Sequence, residues 1–359
     1  MRERHPAGER PVVFMFPGVG DHYAGMSQGL YEHEPAFRAS MDRCFGLLTA
    51  ELGQDVRALL YPGEAPRRTR GRPDVRALLN RGARPPAGLD RTRVLQPLVF
   101  SVEYALAELL MSWGIEPAGL LGYSIGEYVA ACVAGVLPLD QALALVVRRA
   151  DLIETLPAGA MLVVLLGEDE LTARLGDDLS LAAVDGERLC VAAGPVPAVE
   201  RLERDLAAAG VAHLRVGARH AFHSRMMAPI EPYLEGLART FTLRPPAIPF
   251  LSNVTGAWIT AEQATDPRYW AGHLHRTVRF HDGLTELWAM PSAIALEVGV
   301  GTMLTGLADQ HPDRPDDGPP SVFPTLAGGD DVADLLAAVE GLRAAGARVD
   351  RDVVRQAGG

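Results

Sequence analysis

The chain has no lysine: all 34 of its positive charges are arginines. That absence excludes a Schiff-base lysine of the kind used with pyridoxal phosphate, and the phosphate-binding lysine of a P-loop. Cysteine is scarce as well, with Cys44, Cys132 and Cys190 far apart, so no disulfide framework is implied. No C-x-x-C or H-E-x-x-H pair is present to hold zinc, and no metal site is expected. Long apolar runs are missing too. None approaches the roughly 18 residues of a membrane span, and the charged start from Met1 to Arg10 lacks the apolar stretch of a signal peptide. Net positive charge is also lacking: 34 cations against 45 acids leave a formal charge of -11. A nucleic-acid backbone would repel such a chain. The expectation is a cytoplasmic protein with neither nucleic acid nor membrane as partner.

What is present is the composition of a globular protein, 359 residues with 48% apolar and 22% charged side chains, enough for two or three folded units. Residues 12–16 are an apolar run ended by Pro17-Gly18, a buried strand meeting a tight turn. From Gln96-Pro97 to Trp113 the pattern is helical, with Pro97 suited to a first helical turn, and Leu120-Leu121-Gly122 reads as the next strand. Strand, helix, strand in series points to an α/β fold with a parallel sheet.

Residues 62–95 carry Pro62-Gly63, Pro73, Pro85-Pro86 and nine arginines from Arg67 to Arg93, and read as a long loop. It is either a solvated insertion or a basic surface for an acidic partner. Residues 160–217 stand apart, with strands at 161–166, 179–183, 189–193 and 211–216 and helices at 168–175 and 195–209. That order, βαββαβ, is ferredoxin-like. Strands at 250–253 and 293–298 return to the larger unit, 311–320 is a Pro/Asp-rich loop, and 330–345 is a closing amphipathic helix. The expected division is 11–159 and 218–325 for a large subdomain, 160–217 for a small one inserted in it, and 326–359 for a C-terminal helix and tail. No internal repeat is visible.

Gly122-Tyr123-Ser124-Ile125-Gly126 is G-x-S-x-G between a strand and a helix, the pattern of a nucleophile elbow. It presents the Ser124 hydroxyl at a helix N-terminus, where the Ile125 N–H and the helix dipole favour a developing oxyanion. A second oxyanion donor is expected from Phe16-Pro17-Gly18-Val19-Gly20, at the Val19 N–H. Ten histidines could serve as base, and spacing does not choose among them. His220 and His223 lie where the small unit hands back to the large one, a junction that faces a cleft. On the helix at 139–155, Leu143, Val146, Val147 and Ala150 share one face. At about 100° per residue, Arg148 points away from that face, while Arg149 lies on its flank and is either a plain surface arginine or one that enters a neighbouring cleft to bind a carboxylate bidentately.

Together, Phe16-Pro17-Gly18 to Met26, Gln96-Pro97, Gly122 to Glu127, Arg149, His220-Ala-Phe-His-Ser224 and Glu297-Val-Gly299 resemble the malonyl-CoA:acyl carrier protein transacylase family. The tail 341–350 looks like the end of polyketide synthase acyltransferase domains. The resemblance implies a large α/β-hydrolase-like domain with a ferredoxin-like insert. It implies Ser124 as acyl-carrying nucleophile, His223 as general base, Val19 and Ile125 as oxyanion donors, and Arg149 as holder of the extender unit's free carboxylate. Gln96 corresponds to a glutamine lining the pocket, and His273 to a position whose backbone carbonyl orients the catalytic histidine. Three positions depart from the family's usual residues: Val19 for Gln, Tyr123 for His before the nucleophile, and Asp185 for Asn. His220-Ala221-Phe222-His223, with a small apolar Ile125 after the nucleophile, resembles the pattern that accompanies malonyl selection.

The reaction so implied loads a malonyl or related carboxyacyl unit from coenzyme A onto the phosphopantetheine of an acyl carrier protein, with no permanently bound cofactor. Rival readings are an acyl hydrolase that clears carrier proteins, a carrier-to-carrier transferase and a non-catalytic docking module; intact Ser124, His223 and Arg149 count against the last. The start at Met1, with no linker before it, is read as favouring a free-standing enzyme over a piece of a megasynthase.

Overall fold

A computed structural model describes residues 9–62, 91–315 and 318–350 of the chain. The arginine-rich loop expected at 62–95 therefore falls largely outside the described residues, as do Met1 and the final nine positions.

Five strands form the main sheet: β1 (Val12–Phe16), β2 (Pro117–Gly122), β7 (Phe250–Leu251), β8 (Ile294–Val300) and β9 (Val322–Leu326), in the order β7-β2-β1-β8-β9. Every pairing is parallel. A parallel sheet is covered by helices on both faces, which is why β1 reads as an unbroken apolar run and is buried throughout. The second sheet is antiparallel, with β3 (Gly159–Val164), β4 (Ser180–Gly186), β5 (Leu189–Pro195) and β6 (His213–Val216) in the order β4-β5-β3-β6. Helices Glu168–Leu175 and Val196–Ala208 complete the βαββαβ unit and pack Leu171, Val199, Leu202 and Leu206 into its own core. The fold is thus α/β with a small ferredoxin-like insert.

The segment 277–279 of the large unit runs along the β4 edge of the small sheet and joins the two units. Val278 bridges Ala183 of β4 in parallel, and the Thr277 hydroxyl donates to the Leu181 carbonyl at 2.7 Å. Arg279 adds ion pairs to Glu168 at 2.6 Å and to Asp282 at 2.5 Å.

Three readings of the sequence need correction. The core helix starts at Thr92, so Thr92–Ser112 claims part of the expected loop, and Pro97 sits inside it. A proline there forfeits one hydrogen bond to the preceding turn, which the burial of sixteen residues of that helix outweighs. The same helix is long and apolar enough to cross a membrane, with a mean hydropathy of 1.4, but 89% of that window is buried inside the fold. Finally, β9 crosses the expected boundary at 325/326, and the helix Asp331–Ala344 packs Leu335, Val339 and Leu342 into the main core. It forms one layer of the large unit.

Candidate active site

The elbow is built by close approach. A Cβ on Gly122 would lie 2.1 Å from the Glu127 nitrogen, and one on Gly126 would lie 2.1 Å from the Phe16 carbonyl oxygen. Only glycines at both positions let β2 turn into the helix Gly126–Val133 against β1. Ser124, at the apex, takes a left-handed φ of 54°, a strained position for a residue with a side chain. Its N–H donates to Asn253 Oδ1 at 2.7 Å, and Asn253 Nδ2 donates to the Gly122 carbonyl.

The structure chooses among the ten histidines. His223 Nε2 lies 2.6 Å from Ser124 Oγ, and its Nδ1 lies 2.9 Å from the Arg276 carbonyl oxygen. A carbonyl only accepts, so Nδ1 carries the proton and Nε2 presents a lone pair to the serine hydroxyl. Burial, and then the charges of His273 and Arg149, push the His223 pKa down from 6.5 to about 3, so the ring is held neutral. His311, a late-chain histidine of the kind hydrolase triads use, stacks instead on His281 at 4.5 Å.

The His223 ring proton goes to the Arg276 carbonyl, three residues beyond His273, and the backbone carbonyls of both Arg276 and His273 act on the ring to raise its pKa against the effect of burial. The His273 side chain is not idle either, since it is fully buried and its Nε2 lies 3.1 Å from Glu127 Oε2.

Arg149 is 1% exposed, and no carboxylate pairs with it among the described residues. Its Nη1 donates to Gln96 Oε1 at 2.5 Å, the Tyr128 ring lies beneath the guanidinium at 5.3 Å, and its Nε has no partner. Burial lowers its pKa, as expected for a cation withdrawn from water. A desolvated guanidinium with donors to spare fits a planar carboxylate. Its charge also acts on His223, which ties Gln96 and Arg149 to the Ser124 side of the fold.

At the turn after β1, Gly18 N–H donates to Glu103 Oε1 at 2.7 Å, and burial raises the Glu103 pKa well above the usual carboxylate range. The turn is pressed on the elbow: a Cβ on Gly18 would come within 2.7 Å of the Tyr123 carbonyl oxygen. The Val19 and Ile125 N–H groups find no acceptor among the described residues.

The remaining candidates divide. The Tyr123 hydroxyl donates to Asp185 Oδ2 at 3.3 Å and its ring packs edge-on against Phe280, so Tyr123 spans the seam between the two units. His220 is half-buried beside Glu154 and the Leu156 carbonyl, farther along the helix Leu139–Glu154 that carries Arg149. It meets Phe222 at 6.2 Å, and Phe222 packs on the main core. An open cleft of about 620 Å³ at the seam, lined by Thr172, Ser180, Arg225, Arg276 and Arg279, includes none of Ser124, His223 and Arg149 in its lining. Among the described residues no cluster of His, Cys, Asp or Glu could hold a metal ion.

Sequence reasoning missed Asn253, Glu127, Glu103 and Tyr128. Each acts on a residue far from it in sequence or through burial. The one available signal was Glu127, a carboxylate on the otherwise apolar start of the elbow helix.

Residues 13–326 match the acyl transferase domain family. A polypeptide of the phenolphthiocerol/phthiocerol polyketide synthase of Mycobacterium tuberculosis is 39% identical over 307 residues, 86% of this chain and 19% of the relative. The chain thus spans about a fifth of that relative's length. The acyl transferase domain of SpnD, solved in complex with 2-(pent-4-yn-1-yl)malonyl, is 37% identical, with a TM-score of 0.83 over 98% of this chain and 79% of that one. A loading acyltransferase from the avermectin modular polyketide synthase is 31% identical, with a TM-score of 0.78 over 92% and 99% of the two chains.

Proposed function

Because the chain belongs to the acyl transferase domain family, we propose that it loads a malonyl or related carboxyacyl unit from coenzyme A onto the phosphopantetheine of an acyl carrier protein in polyketide synthesis. The setting is cytoplasmic, and no resident cofactor takes part. The observation that carries this reading is the 2.6 Å Ser124–His223 contact beside a buried arginine that has no carboxylate of its own.

His223 Nε2 takes the Ser124 proton as Oγ bonds to the thioester carbonyl carbon. The resulting oxyanion lies at the Val19 and Ile125 N–H groups. The C–S bond then breaks, and the departing coenzyme A sulfur takes the proton from His223. In the second half-reaction the carrier's thiol gives its proton to His223 and attacks the acyl-serine, and Ser124 regains its proton as it leaves. Arg149, steadied by Gln96 and Tyr128, pairs with the free carboxylate of the extender unit. That pairing offsets the cost of moving an anion out of water. Tyr123, His220 and Phe222 act as binding residues at the cleft and its seam.

Intact mass spectrometry after incubation with malonyl-, methylmalonyl- and acetyl-CoA tests the reading directly. It expects a malonyl-sized increment on Ser124; an increment from acetyl-CoA alone would overturn the carboxyacyl assignment.

A further inference from the structure

Beneath the elbow lies a carboxylate that the acyl-transfer reading leaves without a role. Glu127 is fully buried, one helical turn beyond Ser124. Its Oε2 accepts the Asn253 N–H at 2.7 Å and faces His273 Nε2 at 3.1 Å, and its Oε1 accepts the Tyr269 hydroxyl proton.

Two of these partners reach the reacting residues from opposite sides. Asn253 grips the elbow, taking the Ser124 N–H on Oδ1 and donating to the Gly122 carbonyl. His273 opens the turn His273–His275, whose Leu274 carbonyl accepts the His223 N–H at 2.9 Å. The next residue, Arg276, supplies the carbonyl for the His223 ring at 2.9 Å. The His273 ring itself stands edge-on to the His223 ring, 5.8 Å away. One carboxylate is therefore bonded both to the clamp on the serine and to the head of the segment that holds the histidine.

The backbone explains why such a brace is needed. Ser124 and His223 both have left-handed φ, 54° and 57°. Residues with side chains leave that region unless their surroundings over-determine it. Both strained amides are held by hydrogen bonds, Ser124 N–H by Asn253 and His223 N–H by Leu274, and Glu127 is bonded to the segments that supply both acceptors. A carboxylate suits the place because it accepts on both oxygens at once and donates nothing.

We propose that Glu127 is a positioning residue for acyl transfer: bonded at once to Asn253, Tyr269 and His273, it locks the serine elbow and the histidine-holding turn in one register and so sets the Oγ–Nε2 contact. The proposal rests on the acyl-serine reading above. Glu127 touches no substrate. Its effect belongs in kcat and in the environment of His223, and leaves affinity for the thioester unchanged.

The test is Glu127→Gln, which keeps the volume but replaces one of the two accepting oxygens with an amide NH2, so that at least one of the three donors loses its acceptor. The expected result is a fall in kcat on the order of a hundredfold, with KM for the acyl-CoA within about twofold because Arg149 and Gln96 are untouched. The acid limb of the pH–kcat/KM profile moves up toward an ordinary histidine's, as a loosened His223 regains contact with water. Tyr269→Phe, which removes one donor and spares both arms, loses less. Asn253→Ala loses kcat like Glu127→Gln, and the double variant loses no more than the worse single one.

A folded Glu127→Gln with wild-type kcat and pH profile overturns the proposal. So does a loss of active protein in which the surviving fraction keeps wild-type kcat and pH profile. Should Glu127→Gln fail to fold, Asn253→Ala decides, and an unchanged kcat there overturns the brace. The wild-type adduct is the control: without a Ser124 adduct the acyl-serine reading itself fails, whereas an adduct with a normal Glu127→Gln sinks the brace alone.

Discussion

Glu127, beneath the elbow, meets three donors with its two oxygens, whereas Arg149 meets one neutral amide oxygen and the ring and hydroxyl of Tyr128, and keeps an Nε with no partner. Both side chains are removed from water. A buried charge is costly unless it is paired and hydrogen-bonded. Where the fold itself supplies the partners, as at Glu127, the charge belongs to the architecture. Where donors are left over, as at Arg149, the charge is set for an anion that arrives from outside. The contrast separates scaffold from binding pocket among residues that a polarity count would treat alike.

The harshest way to test the contrast is to remove the chemistry and keep both charges. Ser124→Ala should abolish the covalent acyl increment in the intact mass while still binding malonyl-CoA, because Arg149 and Gln96 remain. A full-stoichiometry increment on that variant would falsify the acyl-serine mechanism.

Next in size is Arg149→Ala, which should cut malonyl transfer about ten- to a hundredfold more than acetyl transfer. Charge-assisted hydrogen bonds of roughly 1.5–3 kcal/mol correspond to that range at 1.4 kcal/mol per decade. Arg148→Ala is the matched control. That side chain is half-exposed, pairs with Glu51 at 3.4 Å and Asp151 at 3.8 Å, and should shift neither rate much. Equal slowing of malonyl and acetyl transfer by both variants would make Arg149 structural.

The pH profile comes third. With a His223 pKa near 3 in place of 6.5, the base stays neutral at pH 5.5. An ordinary histidine would lose about tenfold in its neutral fraction there. The rate of adduct formation should therefore stay level down to that pH. The same depression means that the unfolded chain binds a proton here that the folded chain refuses. This group's contribution to stability is intact above 6.5 and declines as pH falls toward 3. An acid limb centred at 6.5 in the free enzyme would show that His223 is more solvated than the structure has it.

Tyr128→Leu probes the face under Arg149. A desolvated cation–π contact is worth about 0.5–2 kcal/mol, so KM for malonyl-CoA should rise between about twofold and thirtyfold, with acetyl transfer changed less. Smallest is Tyr123→Phe, which deletes one 3.3 Å hydrogen bond across the seam. Its melting temperature should drop by no more than a few degrees; a large drop would mean that the bond to Asp185 carries the seam.

Some of this was legible in the residues alone, and the reason is locality. Strand β1 into Pro17-Gly18 and the elbow at 122–126 are short-range patterns of period, turn and glycine, each complete within a few consecutive residues, and the βαββαβ order of the small unit is a series of such local patterns in one continuous stretch. Helical spacing likewise separated Arg149 from the outward-facing Arg148, but it left Arg149 open between surface and cleft, and its carboxylate role came only from the family resemblance. The start of the core helix was misread because Pro97 is an ordinary first-turn signal, and only the packing of Val94, Leu95 and Gln96 shows that the helix had already begun.

What the sequence determined by itself, then, is the set of parts: a serine on an elbow, histidines at a junction, an arginine on a helix flank and an α/β alternation with an insert. The tertiary structure decided which parts meet. Ser124 and His223 are 99 positions apart, Ser124 and Asn253 are 129, and His223 reaches the Arg276 carbonyl across 53. No local pattern encodes those distances. They exist because the sheet order β7-β2-β1-β8-β9 brings the ends of β2 and β7 side by side, so that Asn253 arrives under the elbow, while the seam at Ala183 and Val278 holds the segment after His273 against His223. Whether a buried charge is fully paired, as Glu127 is, or left with donors for a ligand, as Arg149 is, follows from that meeting of distant segments.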